Sequence, residues 1–343
     1  MNARRTLLLP LVPIYGAVVQ WKRRMFAEGW LRKRTLRDVV ISVGSVSAGG
    51  AGKTPVVLLL ADVLGRRGYA VRILTRGYGR GRSEVERVDP AGDADRYGDE
   101  PVLLARRSGV PVYVGADRYR AGRMAEETPS KGAVVYLLDD GFQHQRLRRD
   151  LDVVLLTRKD VEDGLLPAGH LREPLSALRA AEVVVLREDE AESLQGVVAG
   201  LARETGMPRV WVIRRRLKLP ISAFGPLPER PIAFCGIARP ESFFGMLAEE
   251  GVRATTTVAF GDHHRYSERH IERLVKRAAQ EGADGWVTTE KDAVKLTREM
   301  RSRLAAVGPM VVPELGVELV NERAVMEQMV AMVSRLNRRK GRP

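Results

Sequence analysis

A glycine-rich turn between two apolar runs constrains this chain more than any other feature. Residues 39–60, VVISVGSVSAGGAGKTPVVLLL, pass from one apolar run through three glycines and Lys-Thr into a second apolar run. This order predicts a strand, a phosphate-binding loop and a helix, because glycines let backbone N–H groups converge on a polyphosphate at the helix N-terminus. In such a loop the Lys reaches the β- and γ-phosphates and the Thr hydroxyl binds Mg²⁺.

Eight consecutive residues form the predicted nucleotide-binding segment: Ser47, Ala48, Gly49, Gly50, Ala51, Gly52, Lys53 and Thr54. The usual pattern, G-x-x-x-x-G-K-[ST], has glycine where this chain has Ser47. In our interpretation Gly49 and Gly50 relieve the backbone instead. The alternative is a turn that only joins strand to helix, but Gly-Lys-Thr at such a junction favours a nucleoside triphosphate site.

Length and composition narrow the classes of protein. A chain of 343 residues is long enough for two domains, and a single cysteine, Cys235, excludes a disulfide framework. The formal net charge of +14 indicates a polyanionic partner, which could be nucleic acid, anionic lipid or a phosphorylated substrate. Only 6% of residues are aromatic and no run interleaves them with Arg, so we expect no nucleic-acid partner.

The N-terminal segment, residues 1–37, has the composition of a membrane-surface helix. Residues 6–21 carry no charge, and the bases that follow are interleaved with Trp21, Trp30 and other apolar side chains. The uncharged run is too short to span a bilayer and contains two prolines. We therefore predict a peripheral helix on an anionic membrane surface. The alternative is a helix that packs on the protein's own core.

Acidic residues occur where two of the predicted strands or loops end. Asp139 and Asp140 close the apolar run AVVYLL, and with Thr54 they are the predicted Mg²⁺ ligands, because a P-loop enzyme needs an acid at the end of a neighbouring strand. Asp99 and Glu100 precede an amphipathic helix. They could stabilise the helix N-terminus, or one of them could be a base that faces the phosphates; the spacing leaves both open.

Further polar residues lie in loops after predicted strands, which is the edge where open α/β sheets bind ligands. The predicted substrate-binding residues are Arg76, Gln143, His144, Arg172 and Glu173. His144 could orient a reacting group or only bond its own loop. A second loop holds His263 and His264, and no further ligand at a usual spacing supports zinc there.

The repeated strand–helix order with nearly continuous Val/Leu strands predicts an α/β fold of the P-loop NTPase type, with a mostly parallel sheet flanked by helices. After the N-terminal segment we expect a P-loop core over residues 38–219. A Pro/Gly-rich hinge at 220–231 then leads to a smaller α/β domain at 232–335, and a basic tail occupies 336–343.

Eight segments together resemble one family, the tetraacyldisaccharide 4'-kinases, which phosphorylate the lipid A precursor of Gram-negative bacteria. In chain order they are VGSVSAGGAGKTP, TRGYGR, GDEP, LLDDGFQHQRLRRD, LLPAGHLREP, FCGIARPESFF, FGDHHRYS and TTEKDAVKL. The resemblance implies a Mg²⁺-dependent transfer of the ATP γ-phosphate to the 4'-hydroxyl of a tetraacylated disaccharide 1-phosphate. It also implies a peripheral enzyme at the cytoplasmic face of the inner membrane, with its site between two α/β domains. We expect a monomer.

The resemblance assigns roles to six residues: Lys53 and Thr54 at the phosphates and Mg²⁺, Asp139 and Asp140 as metal-side acids, and Asp99 with His263 as the base for the sugar hydroxyl. His264 is the alternative imidazole, and the order of the motif favours His263. The chain departs from the family pattern at Ser45, His170 and Gly261, where Asn, Pro and Pro are usual. None of the three changes removes a charged catalytic group.

Two other interpretations compete with the lipid kinase. A P-loop ATPase or GTPase that drives a partner protein at the membrane would hydrolyse nucleotide without a lipid acceptor. A membrane-bound binding module with a vestigial P-loop would not bind Mg-ATP. The intact Lys53, Thr54, Asp139 and Asp140 argue against the binding module.

Overall fold

Two β-sheets organise the protein. The structure, a computed structural model, describes residues 7–81, 83–202, 206–220 and 227–341. In these ranges the strands are β1 Val39–Ser45, β2 Ala70–Thr75, β3 Glu86–Arg87, β4 Val112–Val114, β5 Val134–Asp139, β6 Leu151–Leu155, β7 Val183–Arg187, β8 Arg209–Lys218, β9 Pro231–Cys235, β10 Thr256–Ala259, β11 Gly285–Thr288, β12 Met310–Val311 and β13 Glu314–Leu319.

Helices follow most of these strands and cover both sheets. They are α1 Val12–Ala27, α2 Lys53–Arg66, α3 Ala94–Tyr97, α4 Asp99–Ser108, α5 Arg118–Glu126, α6 Arg158–Glu162, α7 Glu188–Ala199, α8 Pro240–Glu249, α9 Glu268–Glu281, α10 Glu290–Ala293, α11 Arg298–Ala305 and α12 Glu322–Arg339. Two short 3₁₀ helices occupy Leu9–Leu11 and Leu175–Ala180.

The larger sheet has nine strands in the order β13-β8-β7-β6-β1-β5-β2-β4-β3. Its described strand pairs are parallel except for the two edge pairs, β13 with β8 and β3 with β4. Strand β1 is buried on both faces, since Ile41 belongs to the core cluster on one side of the sheet and Val40 to the cluster on the other. The predicted parallel sheet flanked by helices is confirmed.

The smaller sheet has four parallel strands in the order β10-β9-β11-β12. Phe234 and Trp286 form its core, with their rings edge to face at a centroid distance of 6.2 Å. In both sheets the loops that carry the predicted functional residues follow the carboxyl ends of the strands. The second, smaller α/β unit is therefore confirmed.

The last part of the predicted smaller domain, residues 232–335, packs with the larger sheet. Strand β13 returns to the larger sheet and pairs antiparallel with β8, because Val317 and Leu319 bury their side chains in the larger sheet's core. Helix α12 packs on the same core and continues to Arg339, into the predicted basic tail at 336–343. Half of the predicted hinge, residues 221–226, lies outside the described residues.

Helix α1 lies against the larger unit and exposes much of its apolar surface. Inward, the Tyr15 hydroxyl donates to the Arg172 carbonyl oxygen at 3.0 Å, and Arg23 forms an ion pair with buried Glu173. Outward, Ile14 and Trp21 are 61% and 63% exposed. No helix in the described ranges is long and apolar enough to cross a bilayer.

Candidate active site

The loop between β1 and α2 has the backbone of a phosphate-binding loop. Gly49, Gly50 and Gly52 have φ angles of 71°, 64° and 85°, a region that strains residues with a Cβ. Ser47 is not among the residues with positive φ, so serine is tolerated where the usual pattern has glycine. Helix α2 begins at Lys53, and its N-terminal N–H groups and dipole favour an anion in the loop.

The Lys53 ammonium is positioned by β1 and by the acidic loop after β5. It donates to Ser45 Oγ at 3.2 Å and lies 3.4 Å from Asp140 Oδ1. Gln143 Nε2 donates to the Ser45 carbonyl oxygen at 2.9 Å, which ties the loop after β5 to the phosphate-binding strand. Among the residues predicted to bind the nucleotide, Ala48 has its N–H bonded within the protein, where it donates to the His170 carbonyl oxygen at 2.9 Å.

Asp140 is held in a charged clamp beside this lysine. The Arg172 guanidinium donates to both carboxylate oxygens, at 2.7 and 2.6 Å. Burial would raise the pKa of Asp140, but the Arg172 bonds and the Lys53 charge outweigh it and hold that pKa well below its usual range. Asp140 therefore remains a carboxylate at any physiological pH.

Asp139 fits the role of a cation ligand. Thr75 Oγ1 donates to its Oδ2 at 3.1 Å, while its buried Oδ1 has no hydrogen-bond partner among the described residues. Burial, Glu100 and Asp140 raise the pKa of Asp139, so a cation there would relieve both desolvation and repulsion. The described residues form no cluster of three metal-binding side chains. Mg²⁺ is commonly held by one or two carboxylates plus phosphate oxygens, so Asp139, Asp140 and Thr54 could hold it together with a bound polyphosphate.

Asp99 and His263 meet across the two units. Asp99 is the first residue of α4, and its Oδ2 lies 3.1 Å from His263 Nδ1 in the loop after β10. Burial would raise the pKa of Asp99, but the His263 bond and the nearby Lys291 and Lys295 charges lower it. The same hydrogen bond raises the pKa of His263. The pair favours a carboxylate beside an imidazolium.

Backbone strain occurs at the same two places. Among the described residues other than glycine, positive φ angles occur at Asp140 and His263, at 50° and 53°. Residues in this region are enriched at active sites, where the surroundings hold them in a costly conformation. Both were predicted as catalytic from the sequence.

A second row of ion pairs joins α4 to the segment around α10. Lys291 pairs with Glu100, and Arg107 donates to both oxygens of Glu290 at 2.7 Å. Lys295 lies 2.9 Å from Asp292 Oδ1 and 3.9 Å from Asp99 Oδ2. These contacts place the segment after β11 against α4 of the larger unit.

The predicted substrate residues fall into different environments. Arg76 is exposed at the end of β2. Burial lowers the pKa of His144 to about 4, so its imidazole is neutral at physiological pH, and its buried Nε2 has no partner among the described residues. Glu173 is only 2% exposed and pairs with Arg23 of α1, so it holds the N-terminal helix and is not open to a substrate as it stands.

Several residues at the site were missed from the sequence. Buried Arg118 interacts electrostatically with Asp139 and Asp140. It lies in the stretch GADRYR, which matches no functional motif. Lys291 and Lys295 belong to the quoted motif TTEKDAVKL, whose position after an apolar strand was the available signal. Arg239 of FCGIARPESFF lies against Gly50 of the phosphate loop.

Comparisons with known proteins agree with this geometry. Residues 4–334 match the family model described as tetraacyldisaccharide-1-P 4'-kinase. Tetraacyldisaccharide 4'-kinase from Koribacter versatilis is 39% identical over 333 residues, covering 95% of this chain and 98% of that protein. The protein of the same name from Aquifex aeolicus is 36% identical over 303 residues, covering 85% of this chain and 90% of that protein.

A solved structure shows the same fold. The crystal structure of LpxK from Aquifex aeolicus in complex with ATP is 32% identical in sequence and superposes with a TM-score of 0.76. The match covers 96% of this chain and 99% of that one. Both the family model and these full-length relatives extend across the two units that form the site. This chain therefore belongs to the tetraacyldisaccharide-1-P 4'-kinase family.

Proposed function

We propose that this protein transfers the γ-phosphate of ATP to the 4'-hydroxyl of a tetraacyldisaccharide 1-phosphate, a step of lipid A biosynthesis. The observation that carries the proposal is that the loop of His263, the proposed partner of the base, lies beside the phosphate loop. A Cβ added to Gly49 would lie 3.8 Å from Asp262 Oδ2, and the next residue, His263, contacts Asp99. A nucleotide triphosphate and an acceptor hydroxyl can therefore meet between the two units.

The residues divide the chemistry of phosphoryl transfer among them. Asp99 accepts the proton of the sugar hydroxyl, and His263 holds the carboxylate in place and shares its charge. The hydroxyl oxygen forms a bond to the γ-phosphorus while the bond from that phosphorus to the bridging oxygen breaks, and ADP leaves. Lys53 neutralises phosphate charge. When bound by Asp139, Asp140 and Thr54, Mg²⁺ would supply further charge neutralisation.

Substrate binding in this proposal uses Arg76, Gln143, His144 and Arg172. Exposed Arg76 can bind an anionic group of the substrate, and neutral His144 can donate or accept a hydrogen bond. Gln143 and Arg172 act mainly through the atoms they hold, which are the Ser45 carbonyl and the Asp140 carboxylate. Glu173 contributes indirectly, by anchoring helix α1 next to Arg172.

We further propose that the enzyme works as a peripheral protein on an anionic membrane, at the cytoplasmic face of the inner membrane. Leu7, Ile14, Trp21 and Trp30 expose between 61% and 84% of their surface along the N-terminal segment. Exposed apolar side chains beside basic residues suit the headgroup region of a bilayer. The acyl chains of the substrate can then remain in the bilayer while its sugar enters the site.

The test is incubation of the purified protein with γ-labelled ATP and a tetraacyldisaccharide 1-phosphate in mixed micelles. We expect the label in a lipid whose fragmentation spectrum places the new phosphate at the 4' position. The control contains ATP and micelles without the acceptor, and little phosphate should be released there. Rapid hydrolysis without acceptor, and no labelled lipid with it, would favour the ATPase that drives a partner protein and overturn the kinase.

A further inference from the structure

Arg239, from the smaller unit, lies directly on the phosphate loop. It follows β9 and comes just before α8, and a Cβ added to Gly50 would meet its Nε, Cδ and Cγ at 2.8, 3.0 and 3.2 Å. A Cβ added to Gly49 would lie 3.5 Å from the Cβ of the preceding residue, Ala238. Glycine at position 50 therefore leaves room for an arginine side chain as well as for a left-handed backbone.

The guanidinium of Arg239 has no hydrogen bond or ion pair within the part of the chain that the structure describes. Its neighbours fix the backbone around it. Ser242 Oγ accepts from Arg215 Nη1 of β8 at 3.0 Å, and Glu241 lies 3.2 Å from Lys159 Nζ of α6. These two contacts, both just after Arg239 in the chain, hold this segment against the larger unit, and the Arg239 guanidinium acts on the Glu241 carboxylate only at longer range.

The positive charge of the Arg239 guanidinium favours an anionic ligand. An arginine donates up to five hydrogen bonds in a planar fork that matches phosphate oxygens. The adjacent loop has the backbone to hold a polyphosphate, and Lys53 already lies 3.4 Å from Asp140 and 3.2 Å from Ser45 Oγ. A triphosphate in this loop carries more negative charge than one lysine balances. Among the described side chains that contact Gly49 and Gly50, the one cation from the smaller unit is the Arg239 guanidinium.

We propose that Arg239 is a nucleotide-binding residue contributed by the smaller unit, and that its guanidinium binds the oxygens of the ATP triphosphate. It contacts the phosphate loop at Gly50, from the smaller unit. Because AMP lacks the outer phosphates, this contact separates ATP from AMP. The inference rests on the proposed function only in taking ATP as the nucleotide, and it does not depend on the lipid acceptor.

The test measures ATP and AMP dissociation constants by calorimetry for the intact protein and for two variants, Arg239→Gln and Arg239→Lys. We expect Arg239→Gln to raise the ATP dissociation constant about tenfold or more, the usual effect of losing a charged hydrogen bond, and to leave the AMP dissociation constant unchanged. Arg239→Lys keeps a point charge and should recover part of the loss. Arg253→Gln is the matched control, since it removes an exposed arginine of the same unit, before β10.

Three outcomes would overturn the assignment. The first is unchanged ATP affinity in Arg239→Gln. The second is an equal loss for ATP and AMP, which would show a structural effect on the loop. The third is an equal ATP loss in Arg253→Gln, which would show a general effect of net charge. Failure of the unmodified protein to bind ATP at all would instead refute the proposed function, so the two failures are distinguishable.

Discussion

His263 Nδ1 lies 3.1 Å from Asp99 Oδ2, and this contact joins a loop of the smaller sheet to a helix of the larger one. The hydrogen bond raises the pKa of His263 and outweighs burial, which alone would lower it. The ion pair contributes to stability between the lowered pKa of Asp99 and the raised pKa of His263, and this contribution is lost as the pH falls through the first or rises through the second. The contact between the two units at the proposed base is therefore pH-dependent.

Asp99→Asn should reduce kcat about 10²–10⁴-fold while leaving the ATP dissociation constant nearly unchanged, because the variant removes the proton acceptor and keeps the shape. Steady-state kinetics with the lipid acceptor and calorimetry with ATP give the two numbers. Loss of ATP affinity instead would assign Asp99 to the nucleotide. In the same variant, an NMR titration should show a lower pKa for His263, since the bond that raises it is weakened.

The choice between the two neighbouring imidazoles is testable in the same assay. His263→Gln should lower kcat, because it breaks the bond to Asp99. His264→Gln should not, because His264 Nε2 instead contacts His270 Nδ1 at 3.2 Å and its ring stacks on Phe260. The reverse result would exchange their roles.

Lys295→Met should move the acidic limb of the kcat/KM profile to higher pH. Lys295 Nζ lies 3.9 Å from Asp99 Oδ2, and its charge, with those of His263 and Lys291, lowers the pKa of Asp99 against the opposing effect of burial. Removing one positive charge therefore raises that pKa, and a higher pH is needed to ionise the base. Lys295→Arg should keep the wild-type profile.

A matched control for this pH shift is Lys276→Met, which removes an exposed lysine on α9. The control should leave the acidic limb unchanged. Asp292 also contacts Lys295, so a thermal melt of each variant separates lost stability from a shifted profile. An acidic limb that does not move in a folded Lys295→Met protein would contradict the role of this charge.

Local sequence patterns predicted the phosphate-binding loop and the strand beside it. Gly-Lys-Thr at a strand-to-helix junction located the phosphate loop, and the apolar run before Asp139 located the neighbouring strand. Both patterns can be recognised from the sequence because each strand and the loop after it are consecutive in the chain. The pairing of Asp99 with His263 came from the family resemblance, since residues so far apart leave no spacing to interpret.

Long-range pairing was harder to predict for the same reason. Strand β13 follows the smaller sheet in the chain but pairs with β8 of the larger one, and its short apolar pattern fits an edge strand of either sheet. The contact of Arg239 with Gly50 depends on how the two units pack, which no local pattern records. Glu173 was predicted at the substrate, yet Arg23 of the N-terminal helix is its partner.

Asp139→Asn should increase the Mg²⁺ concentration needed for half-maximal activity about tenfold or more, in the range seen when groups around a bound metal are changed. The fold should be retained, because burial and the neighbouring Glu100 and Asp140 already disfavour the charged form of Asp139. Activity is measured across a Mg²⁺ series at fixed ATP. Asp62→Asn, at an exposed position on α2, should leave the requirement unchanged, and an unchanged requirement in Asp139→Asn would remove this residue from the metal site.

Arg23→Gln should loosen helix α1. The substitution leaves the buried Glu173 carboxylate without its cation, and breaking one side of such a pair costs about 3 kcal/mol. Hydrogen exchange over Val12–Ala27 should become faster, and the urea midpoint should fall. Arg24→Gln, next in sequence, removes only an exposed pair with Glu28 and should change neither measurement. Equal effects in both variants would argue that α1 is not anchored through Glu173.

Anionic lipid vesicles should shift the tryptophan emission of the protein to shorter wavelength, because two of its four indoles lie on the proposed membrane face. Trp21 and Trp30 are 63% and 73% exposed, whereas Trp211 and Trp286 are buried in the cores of the two units. The double variant Trp21→Phe, Trp30→Phe should lose the shift and keep the buried signal. Vesicles of neutral lipid should give a smaller shift, since bases flank both residues. A shift that persists in the double variant would place the membrane contact elsewhere on the protein.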